Sequence, residues 1–244
     1  MAPRTAPIRP ALGLASIGLA VLFNVPFSIL GATYNYPDIL RRPAAEALDL
    51  FAAGGNSLIL TWHSFAWVAL ALVPMAIFLS LTTERVMSVP ALAIGAAIAG
   101  SLAGLAQAIG LWRWVFVIPG LARSHADPNA TAEAKLAAEQ TFAMLNQYGG
   151  VAVGEHLGQL LTALFVLLLS RIQWQEANRV TAWVGYVTSV LIVLGTTEGV
   201  AIALGRSGEV FGLITIAGFL GLTLWLILTG LVLIGIGRRR LSGT

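Results

Sequence analysis

VFGLITIAGFLGLTLWLILTGLVLIGIG, residues Val210–Gly237, runs between Glu209 and Arg238 without one charged side chain. At about 1.5 Å per residue, a helix of this length exceeds the roughly 30 Å hydrocarbon core of a bilayer. A backbone in lipid has no water to bond. Closed helical hydrogen bonding is therefore the conformation open to such a stretch, and the chain reads as an integral membrane protein.

Working outward, comparable apolar runs lie near Ala11–Ala32, Ser57–Thr82, Val89–Leu121, Gly149–Ile172 and Val180–Leu204. The expectation is an all-α polytopic bundle of about six spans, with residues 1–244 forming one domain. The first run follows Arg4 and Arg9, as in a signal peptide, but is too long for one and reads as an uncleaved span. The third is overlong and calls for tilt or an interfacial turn.

Composition supports this class. The chain is 57% hydrophobic and 10% charged, against roughly 25% charged in soluble domains, and its mean hydropathy is +0.84. The sequence pI near 9.8 reflects a formal charge of only +3. Arg238, Arg239 and Arg240 follow a span directly, which is a topology signal and lipid anchor rather than a nucleic-acid surface. Cysteine is absent, which excludes disulfides, iron–sulfur clusters and thiolate chemistry.

Counting Lys and Arg orients the chain. With the N-terminus inside, eight flank the cytoplasmic ends (Arg4, Arg9, Arg85, Arg171, Arg179 and the terminal three) against five outside (Arg41, Arg42, Arg123, Lys135, Arg206). Both termini are then cytoplasmic and both long loops external. Each loop reads as a short amphipathic interfacial helix. One starts at Pro43, carries Ala44, Ala47, Leu48 and Phe51 at helical spacing, and stops at Gly54-Gly55. The other starts at Asp127-Pro128 and runs to Gln147. Tyr34, Tyr36, Trp112 and Trp114 fit an outer aromatic belt, and Trp174 an inner one.

Few ionisable groups lie inside spans. His63, Arg113, Glu155, His156 and Glu198, with the amide Gln107, fall roughly 5–12 Å below the outer interface on four helices. Gln159, four residues on, shares the helix face of Glu155. A charge in lipid costs about 2.5–3.5 kcal/mol on insertion scales and needs a partner. One reading is a lock, Arg113 paired with Glu155 or Glu198. Another is a polar pocket open to the outside, lined by Arg113, Glu155, His156, Gln159, Glu198 and His63, that binds or passes a small solute or ion. A third is haem b or a divalent metal between His63 and His156, with Gly154 and Gly158 flanking His156; no cofactor is required. A non-catalytic subunit or scaffold of a larger membrane complex is a further alternative, with the small-residue stripe Gly95, Ala96, Gly100, Ser101 and Gly104 as its contact face. Thr196-Thr197-Glu198-Gly199 has the polarity of a helix break. No Ser–His–acid spacing, phosphate-cradling loop or nucleotide fingerprint occurs, so the reading leans away from an enzyme.

Three blocks carry a resemblance. They are Tyr34-Asn35-Tyr36-Pro37-Asp38-Ile39-Leu40-Arg41 with Gly54-Gly55; Leu111-Trp112-Arg113-Trp114-Val115-Phe116-Val117-Ile118-Pro119; and Gln147-Tyr148-Gly149-Gly150 with Gly154-Glu155-His156-Leu157-Gly158-Gln159. With them the chain resembles the bacterial multi-pass membrane family catalogued as domain of unknown function 4386. The resemblance implies a bacterial inner-membrane protein of about six helices, and brings no activity, substrate or cofactor.

The arginine count makes a direct prediction. Reporter fusions after Arg85 read cytoplasmic and fusions within Asp127–Gln140 read external; a cytoplasmic signal from the latter reverses the orientation.

Overall fold

A computed structural model describes residues 8–235; Arg4, the Arg238–Arg240 run and the end of the last apolar run lie outside the described residues. The chain is an all-α bundle. The long helices are α1 (Pro10–Tyr34), α2 (Ala44–Ser80), α4 (Pro90–Phe116), α7 (Gly158–Gln175), α8 (Arg179–Ala203) and α9 (Glu209–Ile234). Shorter ones are α3 (Thr83–Ser88), α5 (Ile118–Ala126) and α6 (Ala132–Leu145), with a 3₁₀ turn at Asp38–Arg41 and a π-helical segment at Asn146–Leu157. Among the described residues, six continuous helical stretches are long and apolar enough to cross a membrane.

The six form a ring. α1 packs on α2, α2 on α4, α4 on α7, α7 on α8, α8 on α9, and α9 closes against α1. Local chemistry sets the ends. Pro10 and Pro90 begin α1 and α4, where a missing N–H costs nothing. The Thr82 and Thr131 hydroxyls accept the free amides of Arg85 and Ala134. Asn35 (φ 52°) and Gly235 (φ 85°) end α1 and α9 in the left-handed region.

The two expected loop helices run into neighbouring spans. At Gly55 the backbone takes φ 56°, ψ −150°, which bends α2 rather than ending it, so Ala44–Gly54 folds over the bundle as its first turns. α6 likewise joins α7 through the π-helical segment. The overlong third span resolves as α4, a break at Val117, and α5 with Pro119 in its first turn. Helix α8 crosses Thr196–Gly199 unbroken; the Thr196 and Thr197 hydroxyls bond back to the carbonyls of Val193 and Leu194.

One end of the ring is filled. Leu72, Leu79, Phe165, Leu169, Ile172 and Trp225 are buried in one core there. The small-residue stripe is used inside the chain: a side chain on Gly100 would meet Phe165, and one on Gly104 the Ala69 carbonyl. Several buried polar groups here are paired. Gln173 accepts from the Trp225 indole (3.0 Å) and donates to Thr229 (2.9 Å). Arg85 holds Glu176 through two bonds of 2.7 Å, with side chains only 5% and 10% exposed, and also donates to the Leu79 carbonyl.

That pair sets a stability prediction. Arg85→Gln strands a buried carboxylate and lowers stability by about 3–5 kcal/mol, while Arg85→Gln with Glu176→Gln recovers at least half of the loss. Thermal unfolding in detergent reads both. A single variant that melts with the parent contradicts the buried pair.

Candidate functional site

The other end of the ring encloses a cavity of about 660 Å³. Its wall is aromatic on one side, where Phe23 and Phe27 of α1, Trp62 and Phe65 of α2, Trp114 of α4 and Phe219 of α9 line it. Trp62 stacks on Trp114 with centroids 4.7 Å apart and planes within 10°. Tyr34 meets Trp114 edge-on at 5.4 Å, and its hydroxyl donates to the Ala47 carbonyl at 2.9 Å. Each such ring pair contributes about 0.5–1.5 kcal/mol beyond area burial. Tyr34, Trp62 and Trp114 are fully buried, so Tyr34 and Trp114 belong to the core rather than to an interfacial belt.

The polar wall comes from four elements. Arg41 ends the 3₁₀ turn, Arg113 lies on α4, Glu155 on the π-helical segment and Glu198 on α8, and all four line the cavity. The π-helical segment reaches its position because two glycines let backbones touch: a side chain on Gly110 would come 2.7 Å from the Gly154 Cα. Wide helical turns of this kind recur at functional sites.

The ion pairing differs from the sequence expectation. Arg41, placed by sequence in an external loop, donates from Nη2 to Glu155 (2.7 Å) and from Nε to Glu198 (3.1 Å). Burial works against this charge, but Glu155 and then Glu198 outweigh it and hold the guanidinium above its ordinary pKa. Arg113 makes neither pair. Its guanidinium donates to the Gly110 carbonyl and to Asn146 (3.1 Å), and lies over the Trp114 ring at 5.0 Å. Asn146 in turn donates to the Leu40 carbonyl, tying Arg113 to the turn that carries Arg41.

Of the six residues expected at the site, Arg113, Glu155, Gln159 and Glu198 line the cavity. The two histidines lie elsewhere. His63 accepts a hydrogen bond from the Trp67 indole at Nε2 (3.0 Å), which occupies the lone pair a metal would use. His156 turns Nδ1 to the Thr196 carbonyl (3.2 Å). Among the described residues, no three His, Asp or Glu side chains converge as metal ligands.

Two groups escaped the sequence reading. Arg41 stands inside the first of the quoted blocks, which was its available signal. His125 had none. It is 6% exposed on α5, with Nδ1 2.8 Å from Asp49 of α2 and Nε2 2.9 Å from Glu139 of α6. With a carboxylate against each ring nitrogen, His125 ties together three helices of the cap.

Fold and site together define a multi-pass helical membrane protein with a cavity at one end of a ring where Arg41, Arg113, Glu155 and Glu198 gather. The chain belongs to the family described as domain of unknown function (DUF4386), whose model matches residues 11–230. Comparison with curated proteins and with solved structures returns no match.

A double-mutant cycle distinguishes the two arginines. Arg41→Gln and Glu155→Gln couple by about 1–2 kcal/mol in thermal unfolding, whereas Arg113→Gln and Glu155→Gln couple by less than half of that. Stronger coupling through Arg113 contradicts the assignment of Arg41 as counter-ion.

Proposed function

We propose that this chain is a multi-pass protein of the bacterial cytoplasmic membrane, residues 1–244 forming one bundle with both termini inside, whose cavity opens outward and binds a small solute. One observation carries the reading: a volume of about 660 Å³ lined by Arg41, Arg113, Glu155 and Glu198. Ligand pockets span about 300–1,000 Å³ and combine an apolar wall with a few convergent polar groups. Ionisable side chains at membrane depth are costly and mark ligand or ion pathways. A lock needs one acid and one base; this cluster holds two of each, and Gln159 adds an amide that makes no hydrogen bond among the described residues. Binding from one side is favoured over a continuous channel, because the core around Leu72, Phe165 and Trp225 fills the ring beyond the cavity.

The absence of cysteine supplies the test. In intact cells, Gln159→Cys reacts with a membrane-impermeant maleimide, as does the exposed control Ser124→Cys, while Thr83→Cys reacts only after permeabilisation. If Ser124→Cys labels and Gln159→Cys does not, the outward-open cavity is refuted; labelling of Thr83→Cys alone refutes the orientation.

A further inference from the structure

The unused hydrogen-bonding capacity around the cavity is one-sided. Arg113 Nε, Trp62 Nε1 and Trp114 Nε1 are buried without a partner among the described residues, and all three are donors on residues that line the cavity. They belong to one stack, with Arg113 over Trp114 and Trp114 against Trp62. A buried donor left without an acceptor costs about 1–3 kcal/mol. Gln159, 8% exposed and also without a protein partner, lines the same space.

The charges are equally uneven. Glu155 and Glu198 both spend their contacts on Arg41, whereas Arg113 has no carboxylate in contact among the described residues. The remaining acids of the lining, Asp38 and Glu209, are exposed at the rim. We infer that the cavity takes an organic monoanion, a carboxylate on an apolar body, with its head at Arg113 and Gln159 and its body along Phe23, Phe65 and Phe219. The inference rests on the binding-site reading above and names its ligand class.

Each part of that description follows from the wall. A planar carboxylate matches the guanidinium fork. Burying an apolar body against aromatic side chains supplies affinity of about 25 cal/mol per Å² removed from water. Arg41 is already paired with Glu155 and Glu198, so a second negative charge on the ligand finds no second free cation in the lining among the described residues, which disfavours dianions such as phosphate monoesters. The donors of the stack are closed from solvent and the Arg113 guanidinium donates to Gly110 and Asn146, so binding of the head group requires Arg113 to turn from the Gly110 carbonyl.

Two sources share this chemistry, a fatty acid from the membrane and a water-soluble acid. Calorimetric titration of the full chain in lipid nanodiscs with decanoate and with hydrocinnamate separates them, with decanol and decyltrimethylammonium as charge controls. The expected result is saturable binding of at least one carboxylate, at least about tenfold tighter than its neutral or cationic counterpart. Arg113→Gln weakens it about tenfold or more, Arg113→Lys less, and Gln159→Leu about threefold. Should Arg113→Gln fail to fold, Arg113→Lys and Gln159→Leu read the same site. Equal binding of decanol, tighter binding of the cation, or undiminished binding by Arg113→Gln overturns the anion assignment and leaves the cavity standing. So does a lack of binding by all four probes while Gln159→Cys still labels. Without that labelling, it is the cavity reading that has failed.

Discussion

One guanidinium from outside the spans meets two acids within them. Glu155 and Glu198 sit on different transmembrane stretches, and lipid offers a carboxylate nothing, so each must find a cation inside the protein. Arg41 reaches both. The consequence for the fold is mechanical. The connection between α1 and α2 cannot hang free, because the last residue of its 3₁₀ turn, Arg41, is held between the π-helical segment and α8. Pinning the turn places Tyr36, Pro37 and Asp38 along the cavity and brings the Leu40 carbonyl to Asn146, the side chain that orients Arg113. The charge of Arg41 thus shapes the cavity and leaves Arg113 without an acid.

The two ends of the ring solve the same problem differently. At the filled end, helices approach closely through small residues, Phe165 and Trp225 are buried in the core, and the Trp225 indole and the Arg85–Glu176 pair are satisfied within the chain. At the open end, α2 bends at Gly55 and α5 and α6 fold over, so that the cap is built from amphipathic turns clamped by His125. Large stacked rings hold that cap together while leaving the space beside them unfilled. A membrane protein has no solvent-driven reason to keep a polar void among its helices. Its presence at one end, opposite a tightly packed one, is the physical basis for reading it as a binding site.

Much of this was legible in the sequence. Uninterrupted apolar runs located the six long helices, closely for Val180–Leu204 against Arg179–Ala203, because hydrocarbon thickness and helical rise fix length almost independently of packing. Ser57 and Gly149, however, missed the starts of stretches that begin at Ala44 and Ala132. Depth counting brought Arg113, Glu155 and Glu198 to one level, helical spacing put Gln159 on the face of Glu155, and all four line one cavity. Pairing was not legible. Spacing along a helix reports which residues share its face, but not which face looks across the ring, so Arg113 was matched to acids that Arg41 takes, and His63 was grouped with a cluster it does not join. Arg41 was counted as a topology charge because its position after Pro37 places it outside any span. The Gly54-Gly55 pair reads as a stop by composition. Only the tertiary cap, with Tyr34 bonded to Ala47 and Phe51 packed on Trp114, turns it into a bend.

The claim on which this account turns is that the Asp38–Arg41 turn sits over the cavity between Glu155 and Glu198. A chain without native cysteine allows it to be measured in the membrane. Paired substitutions Arg41→Cys with Glu155→Cys, Arg41→Cys with Glu198→Cys, and His63→Cys with Glu198→Cys are treated with a short bifunctional thiol reagent, and intramolecular linkage is read by mass spectrometry. The account predicts linkage in both Arg41 pairs and none in the His63 pair. Linkage through His63 with none through Arg41 contradicts it.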